Sequence, residues 1–105
     1  MPVLVLTTIG NEEAARGLAR SLVEERLAAC VNIVPDLRSI YRWEGAVSDE
    51  PEVLMLVKTT EEQISPLRER LQQLHPYEVP EFVVLAIAEI SEAYGSWLVE
   101  SVKPH

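Results

Sequence analysis

The sequence predicts an α+β fold: a single domain over residues 1–105 whose sheet is apolar on both faces. Three observations predict it. Apolar runs of strand length alternate with two helical stripes in the order β-α-β-β-α-β, and a further helix closes the chain. The length of 105 residues suits one core and is too small for two. Val3-Leu4-Val5-Leu6, Val53-Leu54-Met55-Leu56-Val57 and Phe82-Val83-Val84-Leu85-Ala86-Ile87-Ala88 are apolar at every position, where a sheet with one wet face would alternate.

A first strand is expected over residues 3–8, a branched apolar run closed by Gly10-Asn11. Asn11 then caps a helix whose first turn holds Glu12 and Glu13, where the macrodipole favours negative charge. Ala15, Leu18, Ala19 and Leu22 recur at helical spacing and form its apolar stripe. Cys30-Val31-Asn32-Ile33-Val34 opens a second strand. Pro35 cannot donate to a ladder, so it marks a bulge or an edge position. Beyond it Leu37, Ser39, Tyr41 and Trp43 alternate with Arg38, Ile40 and Arg42, and the strand resumes with aromatic residues on one face. Glu44-Gly45 supplies a turn, and residues 52–58 form the third strand.

Thr60-Glu61-Glu62-Gln63 has the form of a capping box. The stripe Ile64, Leu67, Leu71, Leu74 supports the helix that follows. A start at Ser65 with Pro66 in the first helical position is the alternative, because Pro inside a helix removes a hydrogen bond. His75-Pro76 ends this helix, and Tyr77-Glu78-Val79-Pro80-Glu81 is a loop pinned by prolines. Residues 82–88 form the fourth strand, and Ser91-Glu92 opens a last helix carrying Tyr94, Trp97, Leu98 and Val102.

The order β-α-β-β-α-β is the ferredoxin-like arrangement, here a sandwich with an added C-terminal helix. Its two crossover helices cover one face of the sheet, which leaves the second apolar face without a partner. The 30–43 arm is also far longer than the usual strand of about 5–6 residues. Part of it is therefore expected to overhang the domain and present Tyr41 and Trp43. Soluble monomers rarely expose apolar patches larger than a few hundred Å². Self-association is the expected solution; the competing one folds the terminal helix, with Tyr94 and Trp97, across that face.

Nine Lys plus Arg against seventeen Asp plus Glu give a net charge of −8. That balance argues against nucleic acid and an anionic membrane surface as partners, since both call for clustered basic residues. The single cysteine, Cys30, excludes an intramolecular disulfide and a Cys-rich zinc site. No apolar run approaches the roughly 20 residues that span a bilayer. Met1 to Thr8 does not have the pattern of a signal peptide, so a cytoplasmic location is expected.

Several segments, in order along nearly the whole chain, resemble the CutA family of divalent-ion-tolerance proteins. They are residues 24–33 (Glu24-Glu25-Arg26-Leu27-Ala28-Ala29-Cys30-Val31-Asn32-Ile33), 39–45 (Ser39-Ile40-Tyr41-Arg42-Trp43-Glu44-Gly45) and 56–60 (Leu56-Val57-Lys58-Thr59-Thr60). His75-Pro76-Tyr77-Glu78-Val79-Pro80-Glu81 and Tyr94-Gly95-Ser96-Trp97-Leu98 complete the set. The resemblance implies a trimer, similar in architecture to the PII signalling proteins, linked to tolerance of copper and other divalent cations. Some members are assigned a copper site using a Cys in the first strand and two consecutive His residues before the Pro-Tyr loop. The corresponding positions here are Thr7, Leu74 and His75, of which only His75 matches; a hydroxyl is a poor copper ligand and Leu cannot ligate.

The candidate metal ligands are therefore His75, Cys30, Glu78 and Glu81, for copper or another divalent cation. Each also has a plain reading. His75 caps a helix or pairs with an acid, Cys30 is a small core residue, and Glu78 and Glu81 are surface acids. Asp49, Glu50 and Glu52 read as a solvated charge run. Tyr41, Trp43 and Lys58 are candidates for an intersubunit cleft, against a simple packing role for the aromatics. His105 reads as a disordered terminus.

A non-enzymatic, metal-tolerance homotrimer is the function these residues and the resemblance favour. A PII-like small-molecule-binding trimer is the alternative, although only four glycines are present and no Gly-rich phosphate loop. A structural trimer that anchors an unidentified protein partner is another. An enzyme would have to use Cys30 with His75, and no oxyanion motif accompanies them.

Overall fold

The computed structural model of the protein describes residues 1–104; His105 lies outside the described residues. Strand β1 (Pro2–Ile9) is followed by helix α1 (Glu12–Glu24), strand β2 (Cys30–Trp43) and strand β3 (Ala46–Thr60). Helix α2 (Ile64–Leu74), strand β4 (Val83–Ala86) and helix α3 (Glu92–Ser101) complete the chain. The sheet is antiparallel throughout in the order β2-β3-β1-β4, as the ferredoxin-like arrangement requires.

Helix α1 starts where Asn11 Oδ1 accepts the Ala14 N–H at 2.8 Å, a cap worth ~1 kcal/mol. Its stripe Ala15, Leu18, Ala19 and Leu22 is buried against Val5, Ile9, Val53, Met55, Val57 and, from α2, Leu67. Helix α2 begins at neither of the two expected places. A 3-10 turn over Glu61–Gln63 precedes it, and the Thr60 side chain makes no capping bond. Pro66 is then the third residue of α2, in the first turn, where a missing N–H costs no intrahelical bond.

The arm is longer than expected on its return side, because β3 starts at Ala46 rather than at residue 52. Residues 46–51 carry no apolar alternation, so their strand character comes only from pairing with β2. The turn between the arms is Glu44-Gly45, both with positive φ (49° and 80°), the two-residue geometry that suits a right-twisted hairpin.

Pro35 does mark a bulge. Pairing passes from Val34↔Leu54 to Leu37↔Glu52, one extra residue on β2, with Asp36 at φ 60°. Side chains alternate with period two, so one extra residue switches which positions share a face. Before the bulge Cys30, Asn32 and Val34 oppose Lys58, Leu56 and Leu54; after it Tyr41 and Trp43 oppose Ser48 and Ala46. Directly opposed residues point to the same side. The bulge thereby turns Tyr41 and Trp43 to the side that carries Leu54 and Leu56.

Strand β4 is shorter than expected, at four residues. Val3↔Ala86 is its last pair, and Ile87 would have to pair with Pro2, which has no N–H to give. At its other end Phe82 packs on the main core, with the Arg68 guanidinium 5.2 Å from its ring centre.

The two faces of the sheet differ. On the helix side Val3, Val5, Thr7 and Ile9 of β1 and Val53, Met55, Val57 and Thr59 of β3 are buried. On the other side Leu4, Leu6, Leu54 and Leu56 are only half-buried, and Val34, Val83 and Leu85 are exposed. Helix α3 covers one end of this face and no more. Leu98 and Val102 pack on Ala29, while the Tyr94 hydroxyl accepts a bond from Lys58 Nζ at 3.3 Å. Tyr94 and Trp97 stay exposed instead of lying across the sheet. No helix among the described residues is long and apolar enough to cross a membrane.

Candidate functional site: a cleft between the arm and the Tyr77 loop

The overhanging arm and the loop after α2 enclose an open cleft of about 900 Å³. Tyr41, Trp43, Glu50 and Glu52 line it from the arm, and Tyr77, Glu78 and Glu81 from the loop. The loop is held in place through His75. After the last turn of α2, the His75 N–H still bonds to the Leu71 carbonyl at 2.8 Å, but its own backbone is extended (φ −76°, ψ 135°). The buried imidazole then uses both nitrogens. Nδ1 accepts the Tyr77 N–H at 3.1 Å, so the ring proton is on Nε2, which donates to the Thr8 carbonyl at 2.8 Å. The ring is a neutral bracket between β1 and the loop.

Tyr77 carries the loop on to the arm. Its ring meets His75 edge-on at 4.6 Å, and its hydroxyl donates to Glu52 Oε2 at 2.7 Å. Burial first, then the bond to Glu52 and its charge, pushes the Tyr77 phenol well above its usual range and keeps it a donor. Glu52 is only 7% exposed, so the solvated run expected at 49–52 is corrected at this position. Glu52 shares the parity of Leu54 and Leu56, which turns it inward beneath the loop. Asp49 does remain at the surface, bonded to Arg38 at 2.6 Å.

Not all the predicted site residues meet here. Tyr41, Trp43, Glu78 and Glu81 line the cleft, while Lys58 is at the other end of the sheet, under Tyr94. Cys30 opposes Lys58, and Thr8, which holds His75, opposes Leu54. Four residues of strand separate those two positions, about 13 Å at ~3.3 Å per residue. Cys30 and His75 are thus too far apart to act as a nucleophile–base pair. Cys30 is half-buried rather than a core residue, its thiol 3.9 Å from Asn32 Oδ1. Nor does His75 pair with an acid; both of its partners are backbone groups.

A copper ion does not fit His75 within this chain. Its nitrogens are occupied, Thr7 and Leu74 offer no thiolate or imidazole, and no three His, Cys, Asp or Glu side chains among the described residues are grouped to hold a metal. His75→Ala is therefore expected to act on stability. It strips partners from the Thr8 carbonyl and the Tyr77 N–H, at about 1–3 kcal/mol for each group left buried and unpaired. Urea denaturation of the variant should show that loss, while its uptake of divalent cations stays at the wild-type level.

The sequence missed Glu52 and Tyr77. The one signal for Glu52 was its parity with the apolar run that follows; Tyr77 had none beyond its place between two prolines.

The CutA1 divalent ion tolerance protein family model matches residues 3–101. The divalent-cation tolerance protein CutA of Thermus thermophilus is 56% identical over 101 residues, which cover 96% of this chain and 98% of that one. A solved structure of the Thermus thermophilus protein superposes with a TM-score of 0.95 at 55% identity, covering 98% of this chain and 100% of the other. The Archaeoglobus fulgidus structure, described as a periplasmic divalent cation tolerance protein CutA, gives a TM-score of 0.95 at 32% identity over 98% of this chain and 100% of its own. With the family model matched over residues 3–101 and a relative 56% identical over nearly the whole of both chains, the chain belongs to the CutA1 divalent ion tolerance family.

Proposed function

We propose that this chain acts in divalent-cation tolerance as a non-enzymatic homotrimer, located in the cytoplasm. The half-open second face of the sheet carries the assembly part of that reading. Leu4, Leu6, Leu54, Leu56, Val83 and Leu85 form an apolar surface that α3 leaves uncovered, and copies of the chain are the partner that is always present. The non-enzymatic part rests on chemistry. His75 has no free nitrogen to serve as a base, and Cys30 stands about 13 Å away along the strand.

Cation contact is assigned to Glu78 and Glu81, exposed at the mouth of the cleft, with further ligands from a neighbouring copy. Carboxylates suit hard ions such as Mn²⁺ or Mg²⁺ better than copper, so the donor set favours those over the copper that the resemblance implied. Equilibrium dialysis against Cu²⁺, Zn²⁺ and Mn²⁺ tests this. The double variant Glu78→Gln/Glu81→Gln should lose bound cation and His75→Ala should not. Equal retention by all three proteins contradicts the assignment. Cell fractionation checks the location, since the Archaeoglobus relative is described as periplasmic.

A further inference from the structure

We propose that helix α3 is a latched strap, which opens from the rest of the subunit as a unit of its own, and that Arg26 is the latch. Backbone strain at Arg26 is the first sign of it. Arg26 follows the C-cap of α1; its N–H bonds to the Val23 carbonyl at 3.1 Å, and the Leu27 N–H bonds to the Leu22 carbonyl at 3.0 Å. Those two bonds make the left-handed helix stop in which glycine is the usual residue, because a Cβ there crowds the following carbonyl oxygen. Arg26 adopts it all the same, at φ 60°. A residue kept in that region persists because contacts elsewhere offset the strain. Here they lie 75 residues along the chain, where Arg26 Nη1 donates to the Ser101 carbonyl at 3.1 Å. It donates also to the Lys103 carbonyl at 3.3 Å, and Gln63 Nε2 reaches the Val102 carbonyl between them at 3.4 Å.

Three successive carbonyls at the end of α3 are thus held by side chains from outside it. The guanidinium also puts a positive charge at the negative end of the α3 dipole, whose own last turn holds no basic residue. Little else fixes the helix. Its 10 residues fall short of the roughly 12–15 at which an isolated helix is even marginal, and Gly95 weakens its middle. Leu98 is its one buried residue, and with Val102 and Ala29 it forms a cluster separate from the main core. An element with so few buried apolar contacts opens at a lower free energy than the core does. What the latch positions is Tyr94, whose hydroxyl accepts from Lys58 Nζ at 3.3 Å. All of these contacts are made within one chain.

Hydrogen–deuterium exchange of the full chain, read by mass spectrometry, tests the latch against two variants, with urea midpoints and assembly masses measured alongside. Arg26→Gly and Arg26→Ala both remove the guanidinium, but only the glycine relieves the strain. Peptides over α3 should exchange roughly tenfold faster in both variants, the scale of a lost charge-assisted bond, while those over β1 and β3 keep the wild-type rate. The urea midpoint should separate the two, lying lower for Arg26→Ala than for Arg26→Gly, because alanine keeps the left-handed strain. The proposal is overturned if α3 exchanges at the wild-type rate in both variants. It is overturned too if β1 and β3 speed up by the same factor as α3, for then Arg26 supports the whole subunit and no separate strap exists. Faster α3 exchange found only where the assembly mass has also fallen would likewise overturn it, since neighbouring copies would then be what holds the helix.

Discussion

Leu56→Lys is expected to leave the subunit folded and to dissociate the assembly into single chains. Leu56 opposes Asn32 on β2 and Leu6 on β1, and Leu6 in turn opposes Val83, so it sits at the centre of the uncovered face. In an isolated subunit an ammonium there reaches water along its flexible stem, because nothing lies over it. Between copies the same charge would have to leave water without a partner, at several kcal/mol for each subunit. Every 1.4 kcal/mol is about tenfold in affinity, so association should weaken by orders of magnitude. Circular dichroism should report an intact fold and sedimentation velocity a single-chain mass. A variant that keeps the wild-type mass would show that this face is not the interface.

Leu22→Ala should act in the opposite way, on the subunit itself. Leu22 is fully buried at the end of the α1 stripe, among residues that include Leu18, Met55 and Leu67. Truncation removes three heavy atoms from a close-packed site and leaves a cavity, which for Leu→Ala costs about 2–5 kcal/mol. Against a typical domain stability of about 5–15 kcal/mol that is a large share. Chemical denaturation should show the midpoint falling with little change in slope. A loss well under 1 kcal/mol would mean that the site collapses around the smaller side chain. Because α1 contributes nothing to the second face, the folded variant should still associate.

What could be read from the sequence was local. The start of α1 was legible because Asn11, Glu12 and Glu13 are adjacent and the stripe repeats within one helix. The bulge was legible because Pro35 lacks an N–H. Its consequence was not: whether one residue is inserted, and so which way Tyr41 and Trp43 point, depends on pairing with β3. The early start of β3 and the early end of β4 depend on partner strands in the same way, on β2 and on Pro2.

The cleft was harder still. His75 is fixed by a backbone carbonyl 67 residues earlier in the chain, and Tyr77 reaches a carboxylate 25 residues away. No spacing rule connects such groups. His75 looked like a ligand because exposed imidazoles make good ones, and it is instead a bracket because its ring is buried between two backbone groups. The apolar sheet face is the exception among the non-local features. Continuous apolar strands and too few helices sufficed to expect it, and α3 covers only the Lys58 end of it.

The mass of the wild-type protein in solution decides whether that face is covered by copies of the chain. Sedimentation equilibrium at micromolar concentration should give three times the 11.8 kDa of one chain, in moderate and in high salt alike, since an apolar contact does not weaken with screening. A mass of 11.8 kDa under those conditions, with the fold intact, would contradict it.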